Sequence, residues 1–472
     1  MHPVKSLLVP LARSALLAMS AILVGIAAAI VMSGRAADMS PTGAAAELAV
    51  LLGCALAIGI AATRVDPSGV VRVACEIGAL VAALYAAELV IRIVAPLPGS
   101  TQQERRWDAG RLGLPFDARS KSEVVTELRA RGIDAFPGLS REAPRSASVR
   151  QQLPEELYPL SDASNADVVE CNEGGRYLIF HSDELGFNNP PGLVLSGRVD
   201  AALVGASFGQ GHCIADGHSF ANLLRSSFPR LANFSMPGSS ALSMLATFRE
   251  YVEPLRPPLV LWVMQAFTVD THDEMANPIL SRYLDPGFSQ HLLERRQEVD
   301  QTWRSIAIAV QYEADHRNAL AVQAAARDRF AGIVTLSALR AHLHLNEQLA
   351  RRPAPVDLES FRRCLELARR TTEGWGGRFV VVLMPLYAEV VAHEMPPPLR
   401  HGDLAALLAG MGIMVIDAVP TFLAAPDPRS LYVMRRNNHP NEAGHRLLAE
   451  FVAWQLQPAG SATALVVHRG TR

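Results

Sequence analysis

Ala201-Ala202-Leu203-Val204-Gly205-Ala206-Ser207-Phe208-Gly209-Gln210-Gly211 is a short apolar run that ends in a glycine and passes into a serine bounded by further glycines. Such a run, closed by a turn signal, suits a strand buried on both faces. Four more follow, at Leu231–Phe234, Leu259–Met264, Phe379–Met384 and Met414–Ile416. Helical patterns fall between them at Gly217–Ser227, Ala241–Val252, Gln290–Glu313 and Asp357–Thr371. A last helix is expected from Asn441 to about Leu456, right after Pro440. Strands alternating with helices imply an α/β fold, a three-layer sandwich around a mostly parallel five-stranded sheet. Ligands bind such sheets beyond the carboxyl ends of the strands, which is where the serine turn falls.

Upstream the composition changes. The 472-residue chain carries 44 Lys and Arg and 46 Asp and Glu, and only 11 of these charges lie in residues 1–97. That segment holds three apolar stretches, Ser14–Met32, Leu48–Thr63 and Val70–Leu97. A membrane-spanning helix needs about 20 apolar residues. Residues 1–97 are therefore read as a membrane anchor of three transmembrane helices; the second and third stretches argue against a cleaved signal peptide. Lys5 and Arg13 precede the first helix, Arg64 and Arg72 separate the second and third, and only Arg35 lies between the first and second. The positive-inside rule then puts the N-terminus in the cytoplasm and the chain after Leu97 on the far side of the inner (cytoplasmic) membrane, in the periplasm or its extracytoplasmic equivalent. Glu88 and Arg92, four apart, are expected to form an ion pair.

Residues 98–190, rich in Pro, Ser, Arg and Glu, read as an irregular connector with one helix over Ser120–Arg131. Residues 191–472 form the α/β domain, with a helical insertion near 288–346. A net charge of −2 offers no footprint for nucleic acid. Cys54 and Cys75 sit in apolar stretches, whereas Cys171, Cys213 and Cys364 are far apart, without metal-ligand spacing, and do not suggest a disulfide-built scaffold. No metal or cofactor is expected. His342 and His344 have the spacing of two metal ligands on a strand but fall in a Leu-rich helical stretch, Trp262 reads as core, and Asp270, His272 and Asp273 either line the cleft or, as the plainer reading, form a solvated loop.

Three places carry chemistry. Ser207 at a strand's carboxyl end has the surroundings of a nucleophile. The second strand ends in Asn233-Phe234-Ser235-Met236-Pro237-Gly238, where a glycine lets the backbone N–H approach a ligand. Near the C-terminus, His439-Pro440-Asn441 sets an imidazole at the opening of the last helix.

Together these resemble the SGNH/GDSL hydrolase superfamily over roughly residues 199–456. The Gly-Asp-Ser block is similar to Gly205-Ala206-Ser207, the second-block glycine to Gly238 in a frame beginning at Asn233, and Asp-x-x-His-Pro-Asn to Arg436 through Asn441. The chain departs from the pattern at Ala206, at Arg436, and in Met264–Thr268, which lacks the third-block asparagine. The resemblance implies an SGNH/flavodoxin-like fold, Ser207 as nucleophile, His439 as general base, and the Ser207 and Gly238 amides as oxyanion donors, with Asn233 beside them. Asp427, Asp270 and Asp183 are the candidates to replace the missing acid. The stretch His181–Pro190 resembles membrane-anchored bacterial members linked to exopolysaccharide.

The expectation is a membrane-anchored serine esterase or O-acyltransferase acting on an acylated cell-surface glycan. Its partners would be that glycan, the bilayer, and a membrane acyltransferase or polysaccharide export proteins. The alternative is a catalytically degenerate domain serving as a glycan-binding or export scaffold.

Overall fold

The computed structural model describes residues 3–32, 41–94, 102–138, 154, 156–215, 217–334, 336–343, 356–391, 401–435 and 439–457. Two compact units emerge: Met1–Pro98 with Leu320–Ala354, and Gly99–Ala319 with Pro355–Arg472.

In the first unit, helices Pro3–Met32, Pro41–Arg64 and Pro67–Val94 each contain a span long and apolar enough to cross a membrane. Arg35 lies outside the described residues. The short helix Ser337–His342 belongs here as well. The fully buried Glu88 carboxylate accepts from the Ala338 and Leu339 amides at 3.1 and 2.7 Å and from Arg92 Nε at 2.7 Å, capping that helix. Arg340 reaches Glu47 at 2.8 Å. The expected Glu88–Arg92 pair is thus half of a docking site for the end of the insertion, and that end belongs with the apolar helices and not, as its place in the sequence implies, with the α/β domain. The side chain of His342 and all of His344 lie outside what is described.

The second unit is built on a five-stranded, all-parallel sheet: β4 (Ala201–Gly205), β5 (Leu231–Asn233), β6 (Leu259–Met264), β7 (Arg378–Leu383) and β8 (Met414–Asp417), in the order β5-β4-β6-β7-β8. Every β6 residue is buried, as a strand covered on both faces requires. Val260, Trp262, Phe379 and Val381 pack on one face with helices Ala241–Thr247 and Leu358–Gly374. Leu261, Val263, Val380 and Val382 pack on the other with Phe220–Leu224 and Glu442–Leu456. The helices start where their caps sit. Asp357 accepts from the Ser360 amide at 3.0 Å, and Asn441 from Ala443 and Gly444 at 3.0 and 3.2 Å, so Asn441 precedes the last helix as its cap.

The stretch before the domain is more regular than its composition suggested. The helix Lys121–Ala130 carries a capping box at Ser120 and Glu123. Three short strands, β1 (Ala135–Pro137), β2 (Asp167–Val169) and β3 (Ile179–His181), pair as a small mixed sheet. Phe136, Ala163 and Ala166 bury against Trp303, Ile306 and Val310 of the Arg296–Val334 helix, an apolar partner too distant in sequence for local periodicity to reveal. The His181–Pro190 stretch seals the sheet edge: Asn189 Oδ1 accepts from the Asn233 amide at 2.7 Å, and its Nδ2 donates to the Asn233 carbonyl at 3.0 Å.

Candidate functional site

β4 ends at Gly205, where an added Cβ would lie 2.9 Å from the Val263 carbonyl, so only glycine lets the chain pass this close to β6. Ala206 is extended, and Ser207 opens a four-residue helix that closes at Gly211 in the left-handed conformation (φ 86°). Ser207 thus stands at a sharp strand-to-helix turn, with its own N–H among those lacking an intrahelical acceptor. The loop after β5 is laced to this turn. Met236 N–H donates to the Gly205 carbonyl at 3.0 Å, and Asn233 Nδ2 donates to the Gly209 carbonyl at 3.0 Å. Asn233 Oδ1 accepts from the Ser235 amide at 3.1 Å. Asn233 is buried, with both ends of its side chain committed within the protein, so it braces the turn instead of facing a ligand. Gly238, at φ 74°, makes the turn out of this loop.

His439 is brought to the serine by backbone bonds on either side: its carbonyl accepts from the Val433 amide at 3.0 Å, and Asn441 N–H donates to the Leu431 carbonyl at 2.8 Å. Its Nε2 lies 2.9 Å from Ser207 Oγ, and its Nδ1 lies 2.7 Å from Glu173 Oε2. An ionised carboxylate only accepts, so Nδ1 carries the proton and Nε2 is left to accept from the serine hydroxyl. Burial would raise the Glu173 carboxyl, but His439, with His212 and Arg105 further off, holds it down at about 2. Ser207, His439 and Glu173 therefore form a serine–histidine–carboxylate chain.

The carboxylate that meets His439 comes from a place none of the sequence candidates occupied. Asp427 is paired with Arg435. Asp270 accepts from the His272 amide at 3.0 Å in an exposed turn. Asp183 is buried among the Leu185 and Phe187 amides and Asn189, as a loop-building group, and burial pushes it up to about 6. Arg436 lies outside the described residues. Glu173 sits in the tip between β2 and β3, in the segment read as connector, and nothing in its neighbourhood of sequence sets it apart from other acidic residues.

Two cysteines beside these residues are joined. Cys171 and Cys213 form a disulfide with Cα atoms 5.6 Å apart, linking the Glu173 tip to the loop that follows Ser207. Around it, Glu170 lies 2.6 Å from His212 Nδ1 and accepts from Gln210 Nε2 at 3.0 Å. The His212 and His439 rings are 5.0 Å apart. Burial would raise Glu170, but His212 and then Lys121 and Gln210 hold it at about 2, while burial would lower His212 and Glu170 raises it. Among the described residues, the one grouping of metal-ligand atoms is Cys171, His212 and Cys213, within 4.8 Å. With the sulfurs bonded to each other, it offers only an imidazole already facing a carboxylate.

Gln265 directly follows β6, where the third block would carry its asparagine; it is buried, and its Nε2 has no hydrogen-bond partner among the described residues. Two cavities, of about 380 and 410 Å³, flank the disulfide and share Arg176, Leu178, Cys213, Ile214 and Ala215. Neither is lined by Ser207 or His439; they border the chain of hydrogen bonds from the Gln210 side and the Met434–Asn441 side.

No family model matches the chain, and no curated protein is similar to it in sequence.

Proposed function

We propose that the chain is a membrane-anchored serine esterase or O-acyltransferase of the SGNH type, acting outside the cytoplasmic membrane on acyl groups of a cell-surface polysaccharide. The observation that carries this reading is the continuous chain from Ser207 Oγ through His439 to Glu173, at 2.9 and 2.7 Å. The serine after the first strand of the parallel sheet and the histidine before the last helix agree with that superfamily's order. A disulfide beside the site suits an oxidising compartment, and Arg13, Arg64 and Arg72 favour the same orientation of the anchor.

In this mechanism Ser207 Oγ attacks the ester carbonyl while its proton passes to His439 Nε2. Glu173 fixes the tautomer and stabilises the imidazolium that forms. The Ser207 and Gly238 amides are the donors assigned to the developing oxyanion. His439 then returns the proton to the leaving sugar oxygen, and water or a second hydroxyl takes the acyl group from Ser207. A carboxylate supplied by Glu173 answers one of the three departures that favour a degenerate domain; Ala206 and the missing third-block asparagine still favour it.

The test is covalent labelling of the full-length chain in detergent with a fluorophosphonate, beside Ser207→Ala and His439→Ala. The full chain is needed because Ser337–His342 is docked on the membrane helices. Labelling lost in both variants is expected. A folded wild type that neither labels nor cleaves a small acetyl ester overturns the reading and returns the domain to a scaffold role.

A further inference from the structure

The tip that bears Glu173 is held by two sets of contacts. One set belongs to its own segment: Glu170 N–H donates to the Leu178 carbonyl at 2.8 Å, Leu178 N–H to the Cys171 carbonyl at 3.0 Å, and Asp117 N–H to the Gly175 carbonyl at 2.7 Å. These shape the tip without referring it to the serine. The second set reaches the loop after Ser207: the Cys171–Cys213 bond, the Glu170–His212 pair at 2.6 Å and Gln210 Nε2 on Glu170 at 3.0 Å. Cys213 is held at φ 63°, a left-handed conformation that a residue with a Cβ adopts only when its surroundings impose it. Glu170 and Cys171 thus lie just before the acid, and Gln210, His212 and Cys213 just after the nucleophile.

We propose that the Cys171–Cys213 disulfide and the Glu170–His212 pair are a latch whose function is to position Glu173 against His439. Glu170, Cys171, His212 and Cys213 are positioning residues, acting through the acid and touching no reacting atom. The inference rests on the reading of Ser207, His439 and Glu173 as a triad. It adds that the triad is completed only when the tip and the serine loop are joined, so the same fold with two free thiols holds a serine–histidine pair lacking its acid.

The experiment compares the full-length chain with Cys171→Ser/Cys213→Ser, Glu173→Gln and the triple variant, using 4-nitrophenyl acetate. Removing the disulfide should lower kcat by about tenfold or more, with KM changed by less than about twofold, and should add nothing once Glu173 is Gln. A disulfide-free chain with wild-type kcat, or a loss that multiplies with that of Glu173→Gln, overturns the proposal. Hydrogen exchange of the 168–178 segment is measured on the same proteins. Faster exchange confined to that segment supports the latch, and unchanged exchange overturns it whether or not any ester is cleaved. A chain that neither labels nor turns over therefore fails the triad reading alone.

Discussion

His439 Nδ1 lies 2.7 Å from Glu173 Oε2, a carboxylate 266 residues earlier in the chain. The pair links the last loop before the final helix to a tip between two short strands that lie outside the parallel sheet, and it places that carboxylate at the end of the contacts that begin at Ser207 Oγ.

Glu173→Gln replaces the carboxylate with a neutral amide that can also donate, so the His439 tautomer is no longer enforced and the imidazolium loses its counter-charge. On a small acetyl ester kcat should fall by about 10²–10⁴, with KM little changed. Asp427→Asn, which weakens a surface pair with Arg435 and leaves the His439 contacts in place, should leave kcat within about twofold. Equal losses in the two variants would refute Glu173 as the acid.

Gly205→Ala places a Cβ 2.9 Å from the Val263 carbonyl and 3.1 Å from Ser235 Oγ. Backbone cannot yield there without parting β4 from β6, so stability should fall by about 1–3 kcal/mol. Denaturant midpoints of the full chain measure this; a change below about 0.5 kcal/mol would show that the strands have room to part.

His401 lies 2.8 Å from Asp417 and 3.4 Å from Glu389. Hydrogen bonding to Asp417, then to Glu389, raises its pKa from 6.5 to about 9 against the opposing effect of burial. A raised folded pKa means that the folded state holds the proton longer than the unfolded one. This stabilisation is complete below pH 6.5 and is lost as pH rises through about 9. The melting temperature should decline across that window in the wild type and be flatter in His401→Gln; parallel slopes would exclude the cluster as the cause.

Glu88→Gln leaves one acceptor oxygen for the Ala338 and Leu339 amides and takes the charge from Arg92. Loss of these charge-assisted bonds should destabilise the docked helix by about 1–3 kcal/mol. Hydrogen exchange should rise in residues 337–343 and stay unchanged in β4 and β6. Unaltered exchange at 337–343 would mean that Glu88 does not hold this helix.

Much of this architecture is legible locally. The Leu259–Met264 run is apolar at every position because both faces of β6 are covered, and its bounds match the strand. Asp357 and Asn441 announce their helices because capping depends on residues two or three positions away. Ser207 and His439 stand out for a similar reason, each at an element end with its own turn residues. The β2–β3 tip carries no such mark. Glu173 and Glu170 are ordinary acidic residues in sequence, and the partners that meet them when buried, His439 for Glu173 and His212 and Gln210 for Glu170, are distant along the chain.

The sequence by itself determined the three apolar helices, the five parallel strands and the positions of the serine and histidine, because hydrophobic period, caps and turn chemistry act over a few residues. Only the tertiary structure decided which carboxylate meets His439, that Cys171 and Cys213 are partners, and that Ser337–His342 docks against Glu88. Those choices pair groups 266, 42 and 251 residues apart. A buried charge or thiol is satisfied by whatever group the folded chain brings within reach, and no local pattern records that.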